Sequence, residues 1–171
     1  MDYVVANGIM NGTTTTTFAP NDSLTREQFV TILWRLAGEP AHAVSNPFTD
    51  VKASNYSYDA ILWAYENHIT SGSTPTTFDR KGNVTRQQLA AFLYRYADYA
   101  GYDVSARADL NAFPDLASVS SYAVDPLSWA NAAGLIVGDA QGGVNYLHPK
   151  NNTTRAQIAV ILLRFSKISK S

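Results

Sequence analysis

The chain has 171 residues, 46% of them hydrophobic and 16% charged, with a net charge of −1 and a pI near 6.3. That size suits one compact domain burying roughly two-thirds of its unfolded surface, and the charge balance offers no field for nucleic acid or an anionic membrane, so any anion recognition must be local. No apolar run approaches about 18 residues and no basic-then-apolar leader appears, which argues against membrane insertion. The absence of cysteine excludes disulfides and thiolate chemistry. His42, His68 and His148 stand apart from one another without ligand spacing, so neither a metal nor another cofactor is expected.

In chain order, the first recognisable stretch is Asn7-Gly8-Ile9-Met10-Asn11-Gly12, which recurs as Asn67-His68-Ile69-Thr70-Ser71-Gly72 and as Ala133-Gly134-Leu135-Ile136-Val137-Gly138. A self-similarity of this period marks stacked or symmetric supersecondary units. Each copy continues through a polar loop to one apolar anchor, Phe18, Phe78 or Leu147. The third loop is longer, running Asp139-Ala140-Gln141-Gly142-Gly143 before its anchor.

Next come Leu24-Thr25-Arg26-Glu27-Gln28-Phe29, Val84-Thr85-Arg86-Gln87-Gln88-Leu89 and Thr153-Thr154-Arg155-Ala156-Gln157-Ile158. Thr followed three residues later by Gln is a capping box, in which the hydroxyl accepts from a first-turn N–H and the Gln reaches back to the Thr N–H. The Arg is not explained this way, because a cation there meets the positive end of the helix dipole, where a carboxylate would be favoured by about 0.3–1 kcal/mol. Either it pairs with a carboxylate elsewhere, Asp22, Asp50 and Asp115 being candidates, or it joins the free N–H groups of the helix start in holding an external anion.

The helices that follow carry one stripe three times: Phe29, Ile32, Leu33, Leu36; Leu89, Phe92, Leu93, Tyr96; and Ile158, Ile161, Leu162, Phe165. Gly38-Glu39-Pro40 stops the first and Gly101 follows the second, leaving 39–47 and 101–112 as connectors. Repeats then reopen with Phe48-Thr49-Asp50-Val51 and Phe113-Pro114-Asp115-Leu116. A helix carrying Tyr58, Ile61, Leu62 and Tyr65 ends near Asn67-His68, and its counterpart begins close to Asp125, since Pro126 is tolerated only in a first turn. The first copy enters at Tyr3, the equivalent of Trp63, so the opening of a repeat is expected to be missing.

The order Phe-x-Asp-Val, Trp-Ala, Gly-Ile-x-x-Gly, Phe-x-Pro, Leu-Thr-Arg-x-x-Phe and Leu-x-Arg resembles the S-layer homology repeat. The resemblance covers the whole chain as one module, with repeat 1 at 1–40, repeat 2 at 48–101 and repeat 3 at 113–171. It implies an all-α, pseudo-threefold fold with a central helical bundle, three lobes and grooves between them. It also implies non-covalent anchoring of an exported protein to the cell wall of a Gram-positive-type bacterium, by binding a secondary cell-wall polysaccharide whose terminal sugar commonly carries a pyruvyl ketal. The sequence departs from the family's Thr-Arg-Ala-Glu where Gln28, Gln88 and Gln157 replace Glu, a change that preserves capping and removes a negative charge.

By that resemblance Arg26, Arg86 and Arg155 line the grooves near the ketal carboxylate, which a guanidinium fork fits bidentately. Gly12, Gly72 and Gly138 are expected to adopt positive φ, which also permits backbone donors to face a ligand. Thr13 and Ser73 can donate a hydroxyl where Asp139 would repel an anion. Grooves built on Arg26 and Arg86 are therefore expected to be competent, and the one using the Gly138 loop weak or lost. Trp63 and Trp129 are core residues or sugar-facing ones; Asp50 and Asp115 are turn caps or groove residues. Two other function classes remain open. One is a protein-assembly module, with the truncated first repeat leaving self-association by domain exchange open. The other is a wall-active enzyme, for which no Gly-x-Ser-x-Gly, phosphate loop or zinc spacing speaks.

Overall fold

The three Thr-Arg segments form the hub. In this computed structural model, which describes residues 6, 8–10 and 18–170, the helices are α1 (Arg26–Leu36), α2 (Tyr58–Glu66), α3 (Arg86–Tyr99), α4 (Val124–Ala132) and α5 (Arg155–Phe165). The opening of repeat 1, Tyr3 included, lies outside the described residues. All three capping boxes form: Thr25, Thr85 and Thr154 each accept from the backbone N–H of their Gln partner, whose side chain accepts from the Thr N–H. α1 ends at Gly38-Glu39, both at positive φ, and α3 at Gly101, φ 78°, as the stop signals require.

The residues before each box close a ring of backbone hydrogen bonds. Leu24 N–H donates to Thr153 C=O at 3.2 Å, Thr153 N–H to Val84 C=O at 3.0 Å, and Val84 N–H to Leu24 C=O at 2.9 Å. Around it, the N–H groups of Arg26, Arg86 and Arg155 donate to the carbonyls of Gly82, Asn151 and Asp22, and those of Glu27, Gln87 and Ala156 to Arg80, Pro149 and Pro20. Helices likewise pack across repeats, α1 on α2 and α3 on α4. The stripe residues of α1, α3 and α5 are buried in one core, Leu36 only partly, with Trp63 and Trp129 among the largest fully buried side chains.

The fold is mostly helical, with one small addition that the sequence pattern does not announce. The long third loop forms an antiparallel hairpin, β1 (Asp139–Gln141) with β2 (Val144–Tyr146), Gln141 facing Val144. Gly142 and Gly143 have φ of 58° and 82°, the two positive values that a type I′ turn needs.

One ring residue is imperfect. Thr153 is 0% exposed and its Oγ1 has no hydrogen-bond partner among the described residues, while its counterparts are the apolar Leu24 and Val84. An unpaired buried hydroxyl costs about 1–3 kcal/mol, so the near-isosteric Thr153→Val is expected to raise stability by about 1 kcal/mol in a urea melt. A drop in stability would mean that the hydroxyl is satisfied.

Candidate functional site

Each repeated Arg solves its dipole conflict by reaching into the next repeat. Arg26 Nε donates to Phe78 C=O at 3.0 Å, Arg86 Nε to Leu147 C=O at 2.8 Å and Arg155 Nε to Phe18 C=O at 2.8 Å. The Arg26 guanidinium lies over the rings of Phe78 and Phe92, and that of Arg155 over Phe18. Burial lowers all three pKa values, opposed at Arg26 by Asp79, Tyr122 and Asp50, at Arg86 by Asp139 and Asp115, and at Arg155 by Asp22. For Arg26 and Arg86 neither of the two sequence-based explanations survives intact. Among the described residues Arg26 and Arg86 form no ion pair within 4.0 Å. The helix-start N–H groups are not free for an anion either, because neighbouring carbonyls and the capping Thr occupy them.

Among the described residues two grooves each combine an Arg with the loop and helix of the following repeat. The first, about 400 Å³, is lined by Arg26, the loop 70–73, then Gln88, Phe92 and Arg95 of α3, and Tyr122 from the third repeat. Among the described residues its lining holds two guanidinium groups and no carboxylate. The second, about 350 Å³, is lined by Arg86, the segment 135–139, then Gln157, Val160, Ile161 and Arg164 of α5. This pairing corrects the expectation that the Arg86 groove is distinct from the Gly138 one: they are one groove. Arg86 therefore meets Asp139, and the polar Thr70 and Ser71 of the first groove are replaced by Ile136 and Val137.

Gly72 lines the first groove, with φ 87°, and a Cβ there would sit 2.6 Å from Phe48 Cε1 and 2.5 Å from Thr74 O. Gly138 stands in the same relation to Phe113, at 2.8 Å from its Cε1. Both glycines are thus required by packing of the aromatic that opens their repeat. The Gly72 N–H is taken by Thr70 Oγ1, and the Ser73 hydroxyl donates to Thr77 C=O, so neither serves as the free donor expected of it. Gly12 and Thr13 lie outside the described residues.

Four further candidates are structural and line neither groove. Asp50 accepts from the N–H groups of Phe78 and Asp79 at 2.8 Å, and Asp115 from Leu147 at 2.9 Å and His148 at 2.7 Å. Each caps an anchor turn in which Asp79 or His148 holds positive φ. Trp63 and Trp129 are each 1% exposed, which removes them from any sugar-facing surface.

Sequence reasoning did not single out Arg95, Arg164 and Tyr122 as lining residues, and read Gln88 and Gln157 as caps alone. The repeated Leu-x-Arg could have signalled the first two, since Arg95 and Arg164 lie seven residues beyond Gln88 and Gln157 and so share their helix face. Both also donate to the loop they face, Arg95 to Ile69 C=O and Arg164 to Leu135 C=O. Tyr122 has its pKa raised by burial, partly offset by Arg26 and Arg95. Tyr56, its counterpart by repeat register, is pushed up to about 12 by burial and Glu27, against Arg80 and Arg35.

Among the described residues no cluster of three or more His, Cys, Asp or Glu suits a metal ion, and no helix is long and apolar enough to cross a membrane. Comparison with known proteins places this arrangement. The sequence matches the S-layer homology domain over residues 1–30, 47–90 and 112–159. It is 36% identical over 154 residues to an endoglucanase of Bacillus sp. (strain KSM-635), covering 90% of this chain and 16% of that protein. It is 30% identical over 161 residues to the surface-layer 125 kDa protein of Lysinibacillus sphaericus, covering 94% and 13%, and 30% identical over 122 residues to a cell surface protein of Thermoanaerobacter kivui, covering 71% and 16%. The chain thus spans less than a fifth of each of these relatives. With three matched segments that coincide with the three capping-box repeats, the chain belongs to the S-layer homology domain family.

Proposed function

We propose that this chain is a non-catalytic anchoring module. Its repeats act as one pseudo-threefold unit whose inter-repeat grooves bind an anionic secondary polysaccharide of the bacterial cell wall. The exported protein that carries the module is thereby held at the cell surface, and a pyruvyl ketal is the anion best matched to a guanidinium. The observation that carries this reading is the first groove, with Arg26 and Arg95 beside Thr70, Ser71 and Gln88 and no acidic residue in its lining. Such a site favours a carboxylate bearing hydroxylated surroundings. The second groove opposes Arg86 with Asp139 and is the weaker. The names of two relatives, surface-layer protein and cell surface protein, support the location. The endoglucanase is matched over only 16% of its length, as expected of an anchor appended to a separate catalytic unit.

Co-sedimentation with purified Gram-positive sacculi tests the reading. The chain should pellet with intact walls and stay in solution once acid has stripped the secondary polymer. Equal binding to stripped walls would overturn it. A second reading, lateral assembly with other protein chains, draws support from Val137 and Val160, 49% and 47% exposed beside the second groove. Concentration-dependent association in sedimentation velocity without wall material would favour that reading.

A further inference from the structure

We infer that the first groove continues into a second saccharide subsite, at the C-terminal end of α2, which holds the sugar next to the anionic one; this rests on the anchoring reading above. A cavity of about 490 Å³ adjoins the groove and shares Thr70, Ser71 and Arg95 with it, so these residues form the wall between the two. Its far side is made by Tyr65, Glu66, His68 and the connector residue Val44. Tyr65 and Ser71 also border a further cavity, of about 390 Å³.

The chemistry changes across that wall. The first groove presents two guanidinium groups, whereas the adjoining cavity adds the Glu66 carboxylate and an imidazole beside the phenol of Tyr65. Both Glu66 oxygens accept from the single Ala43 N–H at 3.2 Å, which leaves lone pairs for sugar hydroxyl or amine donors. With Glu66 set against the shared Arg95, the cavity offers a second anionic residue no net attraction. The class of occupant is therefore a neutral or amine-bearing, hydroxyl-rich sugar linked to the acidic one.

Repeat architecture does not require these side chains. Where repeat 2 has Glu66 and His68, repeat 1 has Ala6 and Gly8 and repeat 3 has Ala132 and Gly134. Gly8 and Gly134 adopt φ of 65° and 68°, and His68 is held at 58°, a left-handed conformation that glycine adopts without cost. A strained residue kept where its counterparts are glycine points to a use for its side chain.

The test is calorimetric titration with two probes, a pyruvylated monosaccharide glycoside and size-fractionated oligosaccharides released by acid from Gram-positive sacculi. The wild type should bind the oligosaccharides about tenfold more tightly than the monosaccharide. The double variant Glu66→Ala/His68→Gly, which restores the residues of the other repeats, should lose most of that gain while keeping its affinity for the monosaccharide. His68→Gly alone relieves backbone strain and serves as the folded control; it should lose part of the gain. Equal affinity for both probes in the wild type, or an undiminished gain in the double variant, would overturn the second subsite and leave the anchoring reading intact. Failure of the wild type to bind either probe would overturn both.

Discussion

Arg26→Ala is expected to weaken binding of the wall polysaccharide by about 10- to 100-fold, while Arg86→Ala changes it less than about threefold. A charge-assisted hydrogen bond contributes about 1.5–3 kcal/mol, and the first groove has no carboxylate among the described residues of its lining, Asp79 and Asp50 acting on Arg26 from outside it. In the second groove Asp139 already disfavours an anion beside Arg86, so overall binding rests on the first groove and losing Arg86 changes it little. Arg26 also supports the fold, through the Nε bond to Phe78 and its position over two aromatic rings. Arg26→Ala should therefore cost about 2–3 kcal/mol of stability, and binding is to be measured where circular dichroism shows the variant folded. Arg26→Lys separates the two roles: it keeps the charge but loses the planar fork, and should fall between wild type and Ala in affinity. Equal losses for Arg26→Ala and Arg86→Ala would contradict the unequal-groove reading.

Asp50→Ala should cost about 2–4 kcal/mol, because it leaves the backbone donors of the Phe78 turn without their acceptor. The effect has a pH signature. Burial raises the Asp50 pKa, but the N–H groups of Phe78, Arg80 and Asp79 outweigh it and hold the carboxyl below its usual value. Since the folded pKa lies below the unfolded one, about 3.9 for a free Asp, the stabilisation is complete above that value. It is lost as pH falls through the folded pKa. Glu27 adds a contribution of the same sign: burial pushes its carboxyl up, while bonds from Lys81, Arg80 and Ser57 bring it below normal. Urea midpoints should fall for the wild type below about pH 4, and less steeply for Asp50→Ala. Parallel slopes would show that Asp50 does not link folding to protons.

What was legible in the sequence was local. Thr25, Thr85 and Thr154 cap helices because the Thr-to-Gln spacing is itself the motif, and the buried stripes follow from periodicity alone. The site was less legible because it is built across repeats. Aligning the copies sets Arg86 beside Gly72, whereas the fold sets Arg86 beside Gly138 and gives Gly72 to Arg26. Tyr122 reaches the same groove from a third repeat, so no spacing within one repeat could place it. Paired departures carried a signal of their own. Arg80 replaces the Pro found at 20 and 149, Glu27 stands where the other copies have Gln87 and Ala156, and these two exceptions form a 2.8 Å ion pair across repeats.

The measurement that bears most directly on the central claim is a titration of isotope-labelled protein with the acid-released wall polysaccharide, followed in the proton–nitrogen NMR spectrum. The Arg26 Nε–H signal and the amides of Thr70, Ser71 and Gly72 should shift first and together, with those of Arg86 and Asp139 moving little. Shifts confined to the second groove, or to a surface away from both grooves, would contradict it.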